Sequence, residues 1–133
     1  MTDTPAKLAA LVVDDDDSLR DIVVRSLESL NYEVTSAETG MDGIRKLKSR
    51  HFDLLVTDLI MPDADGLDVM REMKRRHPSA RIVAMTGGGQ YLSKRFSAKM
   101  MSRLGAHAVL MKPFTLAQLV AAVNATAAHG SSK

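Results

Sequence analysis

The 133-residue sequence contains no cysteine, which excludes a disulfide framework and any metal or redox site built on cysteine. No apolar run approaches the roughly 18 residues of a membrane span, and the first residues lack the basic-then-apolar pattern of a secretory signal. The net charge of +2 is too small to indicate nucleic-acid binding by itself. We therefore expect a cytoplasmic protein of one domain that binds neither membrane nor nucleic acid.

Short apolar runs bounded by polar or turn residues recur along the chain and predict five strands. They cover residues 8–13, 33–37, 54–57, 81–85 and 108–111. All except the second are followed by side chains able to do chemistry, namely Asp14 and Asp15, Asp58, Thr86, and Lys112. No internal repeat or low-complexity linker interrupts this pattern.

Apolar residues at helical spacing between and after these runs predict five helices. Their stripes are Leu19, Ile22, Val23, Leu27 and Leu30; Met41, Ile44 and Leu47; Leu67, Met70 and Met73; Leu92, Phe96, Met100 and Leu104; and Leu116, Leu119, Val120 and Val123. Basic runs at 46–50 and 74–77 fall where the second and third helices should end, and there they complement the helix dipole. The alternation predicts an α/β fold with a doubly wound parallel sheet.

Ligands of such sheets bind beyond the carboxyl ends of the strands, where Asp14, Asp15 and Asp58 should meet. Like charges this close are costly without a cation, and a site made only of oxygen ligands suits Mg²⁺. Lys112 adds a charge that pairs with phosphate, and Thr86 adds a hydroxyl donor. These parts predict phosphoryl transfer in which Asp58 is the nucleophile and becomes an aspartyl phosphate.

The residues of this predicted site lie in four segments, 11–15, 56–66, 84–86 and 111–114. In order and spacing these segments resemble the signature blocks of the receiver domain of two-component response regulators. The resemblance spans nearly the whole chain and implies a flavodoxin-like sheet of order 2-1-3-4-5 with five helices. We expect one receiver domain over residues 1–133, with its core at about 8–127. Only 19 residues follow Phe114, so no output domain is expected.

The resemblance also implies how the site works. Asp58 would accept a phosphoryl group from a histidine kinase or a histidine phosphotransfer protein. Mg²⁺ would be bound by Asp15, Asp58 and the backbone carbonyl of Ile60, with Asp14 acting mostly through water. The chain would not be an enzyme beyond slow loss of its own phosphoryl group.

After phosphorylation, the resemblance implies that Thr86 moves to the phosphoryl group and that Lys112 pairs with it. The Lys112–Pro113 peptide bond would be cis. The modified protein would change its affinity for a downstream effector protein, as a monomer or as a phosphorylation-dependent dimer.

Two features depart from the family pattern. Receivers commonly carry Tyr or Phe three residues before the lysine, and this position is Val109. Thr86 and Lys112 are also about four residues further apart than is typical, with the excess near the three glycines 87–89. We hypothesise that the order of residues 87–104, and not an aromatic rotamer, reports phosphorylation.

Three other functions fit parts of the pattern. A phosphoryl shuttle or sink without an effector would need the same residues. An aspartate-nucleophile phosphohydrolase would need a general acid two residues after Asp58, where the sequence has Ile60. A flavin-binding doubly wound domain would have to hold a phosphate beside several acids, which repel it.

Overall fold

A computed structural model of the protein describes residues 7–59, 66–87 and 102–131, with side chains described through residue 126. Its strands are β1 (Leu8–Val13), β2 (Tyr32–Ala37), β3 (Leu54–Asp58), β4 (Arg81–Thr86) and β5 (Ala108–Met111). The helices within these ranges are α1 (Asp17–Ser29), α2 (Gly40–Ser49), α3 (Gly66–Arg76) and α4 (Leu116–Ser131). The further helix predicted before β5 lies mostly outside the described residues, and of it only Ser102 and Arg103 are seen as helical.

The five strands form one parallel sheet in the order β2-β1-β3-β4-β5. The predicted doubly wound, flavodoxin-like α/β architecture is therefore confirmed. β3 is one residue longer than predicted, because Asp58 still pairs with Met85 of β4 before the chain leaves the sheet.

Apolar side chains cover both faces of the sheet, as continuous apolar strands require. Along β1, Leu11 and Val13 belong to the core on the face of α2 and α3, whereas Ala10 and Val12 belong to the core on the face of α1 and α4. β3 alternates in the same way, and its five residues are all buried. Both cores extend to the carboxyl ends of the central strands, so the polar residues that follow have rigid support.

An acidic residue caps the start of α1, and basic residues stand at the ends of α2 and α3. Asp16 caps α1, its side chain accepting a hydrogen bond from the Leu19 amide at 3.1 Å. The two basic runs lie in the last turns of α2 and α3, as predicted. These ends frame an open depression of about 450 Å³ lined by Leu47, Lys48, Ser49, Arg50, Arg75, Arg76 and His77. In the part of the chain described, no helix is both long and apolar enough to cross a bilayer.

Several apolar side chains predicted to face the core are instead exposed. Ile22 is 53% exposed on α1, Met41 60% on α2, Leu104 41% near β5 and Leu116 59% at the start of α4. Val23 and Leu27 are fully buried and form the centre of the apolar stripe of α1. Successive helical residues are turned by about 100°, so Ile22 lies at the edge of this stripe. The apolar surface of each helix that packs against the sheet is thus narrower than the apolar stripe predicted from the sequence.

A buried arginine joins distant elements at the amino end of the sheet. Arg81, the first residue of β4, is 7% exposed, and its Nη2 donates to the Tyr32 hydroxyl at 2.9 Å. Its Nη1 donates to Oγ1 of Thr126 on α4 at 3.5 Å. The guanidinium therefore ties β2, β4 and α4 together at the end of the sheet opposite the acidic residues.

Candidate functional site

Four of the five parallel strands, β1, β3, β4 and β5, are neighbours in the sheet, and their carboxyl ends lie along one edge of it. The paired strands β1 and β3 bring Asp14 and Asp58 to this edge. The paired strands β4 and β5 bring Thr86 and Lys112 there. These side chains come from positions far apart in sequence, and the parallel register alone aligns them.

Three carboxylates form the centre of the site. One ligand oxygen each from Asp14, Asp15 and Asp58 lies within 4.8 Å of the other two. Asp14 is fully buried and Asp58 is 5% exposed, whereas Asp15 is exposed. The cluster thus has two acids held in the protein and one that faces solvent.

Lys112 supplies the compensating charge. Its Nζ lies 3.1 Å from Oδ2 of Asp14 and 3.3 Å from Oδ1 of Asp58. The other carboxylate oxygen of Asp14 accepts a hydrogen bond from the Asp16 amide at 2.9 Å. The lysine therefore bridges the two buried acids, and the cluster is partly neutralised before any metal binds.

The electrostatics of the pair follow from burial and proximity. Burial raises the pKa of Asp58 to about 6, with Lys112 opposing the rise and Asp14 and Asp15 adding to it. For Lys112, burial acts to lower the pKa, but the attraction of Asp58 and Asp14 outweighs it and raises the pKa. Near neutral pH, Asp58 is thus mainly ionised and Lys112 protonated, which are the states that phosphoryl transfer to the carboxylate requires.

Thr86 lies at the end of β4 and is 2% exposed. Its Oγ1 donates to the Gly87 carbonyl at 3.3 Å, so the hydroxyl is engaged with its own loop. Its carbonyl accepts the Lys112 amide at 2.8 Å, which links the two residues through the main chain. The Lys112–Pro113 bond that follows is cis, as the family resemblance implied.

Gly66 is a site residue that the sequence reading did not single out. Its amide donates to the Leu59 carbonyl at 2.8 Å, and a Cβ at this position would lie 2.1 Å from the main-chain oxygen of Asp58. Only glycine allows the start of α3 to approach β3 this closely. The sequence shows a glycine at this position but does not reveal the close contact.

Arg20 is the second residue that was missed. It lies in the first turns of α1, and its guanidinium contacts the loop that carries Asp14 and Asp15. In the sequence, Arg20 is visible only as a basic residue five positions after Asp15. A basic residue at this distance could equally be an exposed helix residue, so the sequence does not predict the contact.

The residues present fit a hard divalent cation. The cluster offers carboxylate oxygens only, and Mg²⁺ binds such ligands together with several waters. Asp15 and Asp58 would be its direct ligands, with Asp14 already occupied by Lys112 and the Asp16 amide. The backbone carbonyl of Ile60, predicted as a further ligand, lies outside the described residues.

An open apolar groove borders the site. Its volume is about 490 Å³, and it is lined by Asp16, Ser18, Leu19, Ile22, Lys112, Pro113 and Phe114. The exposed Ile22 therefore does not stand alone on α1 but forms part of a surface that reaches the lysine of the acid cluster.

Val109 lies on β5, at the position where receivers commonly carry an aromatic residue. Its side chain is half-buried and packs against the core on the α2 and α3 face. The segment hypothesised to respond in its place, residues 87–104, lies mostly outside the described residues, so that hypothesis stays a prediction.

The chain is similar to segments of longer bacterial proteins. It is 34% identical to the sensor protein EvgS of Escherichia coli K12 over 112 residues, which are 84% of this chain and 9% of EvgS. It is 35% identical to the DNA-binding transcriptional regulator NtrC of the same organism over 118 residues, or 89% of this chain and 24% of NtrC. The chain thus spans less than a quarter of the length of these relatives.

Solved structures of similar chains cover it almost completely. A response regulator receiver domain protein from Clostridium thermocellum is 28% identical, with a TM-score of 0.76 over 92% of this chain and 96% of its own. A CheY-like receiver domain protein from Methanospirillum hungatei is 26% identical, with a TM-score of 0.81 over 94% of this chain and 97% of its own. The family model of the response regulator receiver domain matches residues 10–124, and the chain therefore belongs to that family of two-component signalling proteins.

Proposed function

We propose that this chain is a phosphoacceptor switch of a two-component or phosphorelay system, modified on Asp58 in a Mg²⁺-dependent reaction. The observation that carries the proposal is the Lys112 ammonium bound to both Asp14 and Asp58 within a cluster of three carboxylates. A nucleophile, a metal-binding acid pair and a phosphate-binding cation are thereby collected at one edge of a rigid sheet.

The donor would be a phosphohistidine of a histidine kinase or a histidine phosphotransfer protein. A carboxylate oxygen of Asp58 attacks phosphorus, the phosphorus–nitrogen bond breaks, and the imidazole leaves with the electron pair and takes up a proton. Asp58 needs to be ionised for this attack, and a pKa of about 6 meets that need near pH 7. Lys112 is close enough to Asp58 to pair with the oxygens of the transferred group.

Asp15, Asp58 and the Ile60 carbonyl would hold Mg²⁺, and Asp14 would contribute through water. When bound, the ion neutralises charge on the phosphoryl oxygens. Asp14 keeps Lys112 beside the acceptor through its own ion pair at 3.1 Å. Thr86 would release its bond to the Gly87 carbonyl and donate to the phosphoryl group instead.

The donor protein would bind the groove that ends at Lys112. Leu19, Ile22 and Phe114 give this groove an apolar lining, and it opens directly beside the acceptor site. A partner that inserts apolar side chains there would hold its phosphohistidine against Asp58. The output would be altered binding of an effector protein, with the chain a monomer or a dimer that forms on phosphorylation.

A shuttle or sink in a phosphorelay would use the same site and differs only in the partner that receives the signal. Binding of the phosphorylated protein to candidate effectors, compared with phosphoryl transfer to phosphotransfer proteins, separates the two. A phosphohydrolase is less supported because the residue two positions after Asp58 is Ile60, which has no proton to give. Multiple-turnover hydrolysis of phosphate esters would favour it.

The direct experiment incubates the protein with Mg²⁺ and acetyl phosphate and measures its intact mass. The wild type should gain one phosphoryl group, and Asp58→Asn should gain none. Asp21→Asn, which alters an exposed carboxylate paired with Arg25 on α1, is the matched control and should behave as wild type. Equal gain by wild type and Asp58→Asn would refute Asp58 as the acceptor, and unchanged gain in EDTA would refute the metal dependence.

A further inference from the structure

The Arg20 side chain reaches back from α1 to the loop that connects β1 to this helix. Its Nη1 donates to the main-chain carbonyl of Asp14 at 2.9 Å, and its Nη2 donates to Oδ1 of Asp17 at 2.7 Å. The arginine side chain is only 15% exposed, although Asp17 itself is 81% exposed. Arg20 is thus packed into the loop, unlike a cation that swings in solvent.

With this contact, every oxygen of Asp14 has a hydrogen-bond partner. Oδ1 accepts from the Asp16 amide at 2.9 Å, Oδ2 from Lys112 at 3.1 Å, and the main-chain oxygen from Arg20. The main-chain oxygen belongs to the peptide that joins Asp14 to Asp15. Its orientation determines where the backbone of Asp15 lies, and therefore where the exposed carboxylate of the cluster starts.

From this geometry we propose that Arg20 is a positioning residue for the acid cluster. It orients the peptide between Asp14 and Asp15 so that the Asp15 carboxylate stands beside that of Asp58. The inference rests on the proposed function in one respect, namely that the cluster binds Mg²⁺. In the described residues, the Arg20 side chain donates to the main chain of Asp14 and to Asp17, not to the carboxylates of the cluster.

Charge and geometry make opposite predictions for this residue. If Arg20 acted only through its positive charge, its removal would strengthen cation binding, because a repulsive charge near the site would be lost. If it acts by orientation, removal weakens cation binding even though the repulsion is gone. Lysine keeps the charge but is a single-point donor, so it cannot span the two acceptors as the guanidinium does.

The test titrates MgCl₂, without a phosphodonor, into wild type, Arg20→Lys, Arg20→Gln and Arg25→Gln, and follows the amide chemical shifts of residues 14–16. Arg25 is the matched control because it lies on the same helix and pairs with Asp21, 3.1 Å away on the exposed surface. We expect both Arg20 variants to bind Mg²⁺ about tenfold more weakly, which is the usual loss when a group that orients a ligand is removed. Arg25→Gln should bind as wild type.

Two results would overturn the proposal. One is Mg²⁺ affinity in Arg20→Gln equal to or tighter than wild type, and the other is wild-type affinity in Arg20→Lys. Thermal melts establish that each variant is folded at the titration temperature, and Arg20→Lys decides the question if Arg20→Gln does not fold.

The phosphorylation assay keeps this inference separate from the proposed function. Wild type that binds Mg²⁺ normally but gains no mass from acetyl phosphate would remove the proposed function and leave the role of Arg20 intact. Wild type that gains mass while both Arg20 variants keep wild-type Mg²⁺ affinity would do the reverse.

Discussion

Gly66 lies so close to the main chain of Asp58 that a Cβ atom at position 66 would be 2.1 Å from the Asp58 carbonyl oxygen. Asp58 and the start of α3 are therefore packed backbone to backbone. Relief of such a clash needs a shift of β3 or of the helix, because no flexible side chain is available to move.

We expect Gly66→Ala to lower the free energy of unfolding by about 3 kcal/mol and to slow phosphorylation of Asp58, since either shift moves the acceptor. Denaturant unfolding and the mass assay measure the two effects. Gly43→Ala is the control, because its Cβ would meet a methyl group of Val13 at 2.9 Å and the extra helix propensity offsets part of the strain. Similar small effects for both alanines would contradict the prediction.

The pKa of Asp58 predicts how stability depends on pH in metal-free buffer. An acid whose pKa rises from 3.8 to about 6 on folding holds its proton more tightly in the native state. Asp58 therefore adds to the free energy of unfolding in full below pH 3.8, and this contribution is lost as the pH rises through about 6. The total change is about 3 kcal/mol at most. Asp58→Asn should therefore melt at a higher temperature than wild type at alkaline pH in EDTA.

Comparison with wild type isolates this effect from other acids. Burial acts to raise the pKa of Asp53, but hydrogen bonds from the Ala9 amide and His51 outweigh it and lower the pKa. The stability that Asp53 contributes is therefore lost as the pH falls, the opposite of the effect at Asp58. That contribution is present in both proteins and cancels in the difference. A difference in melting temperature that does not change between acidic and alkaline pH would contradict the assignment.

Loss of Lys112 should leave two buried acids without their cation. We expect Lys112→Met to lower the free energy of unfolding by about 3 kcal/mol at alkaline pH. The loss should shrink as the pH falls, because Asp58 then takes up a proton. Lys48→Met is the control, because Lys48 is an exposed residue of α2 and its loss should change stability little at any pH. A loss of stability in Lys112→Met that does not depend on pH would show that packing, not charge, is the cause.

The groove beside Lys112 predicts a variant that separates the two sources of phosphoryl group. Ile22→Ser should slow transfer from a donor protein roughly tenfold, because the partner loses apolar contact worth about 1.4 kcal/mol. Phosphorylation by acetyl phosphate should be unchanged, since Asp58 and Lys112 are untouched. Met41→Ser, which removes a similarly exposed apolar side chain from α2, is the matched control. Equal slowing with both donors would show that Ile22 affects the site itself.

The Arg81 contact predicts a change in stability without a change in chemistry. Tyr32→Phe removes the hydroxyl that Nη2 of Arg81 contacts at 2.9 Å, and hydrogen bonds to charged groups contribute about 1.5–3 kcal/mol. Urea unfolding should show a loss of this size, and acetyl phosphate should still modify Asp58 at the wild-type rate. A slower reaction in folded Tyr32→Phe would mean that the two ends of the sheet are coupled.

The arrangement of the main site residues could be predicted because it depends on backbone topology alone. Each strand is an apolar run, and in a parallel sheet the residues that follow such runs share one edge. Asp14, Asp15, Asp58 and Lys112 could therefore be predicted to lie near one another without any knowledge of side-chain packing.

The features that could not be predicted depend on which side chains meet. Helical periodicity places Ile22 near an apolar stripe but does not tell how wide a surface the sheet covers. The reach of Arg20 to the Asp14 carbonyl and the burial of Arg81 both require the positions of partners in other elements. Gly66 resembles any turn glycine until the carbonyl of Asp58 is seen against it.

The basic depression at the ends of α2 and α3 has a consequence for how the protein meets a partner. Over the described residues, acids collect at the carboxyl edge of the sheet and Lys48, Arg50, Arg75 and Arg76 collect where these helices end. This described part of the molecule therefore has an acidic pole and a basic pole at opposite ends of the sheet, the basic one moderated by Glu33, which pairs with Arg50, and Glu72, which pairs with Arg75 and Arg76. A positively charged donor would be oriented toward the acidic pole before contact, and added salt would slow its association by weakening that alignment.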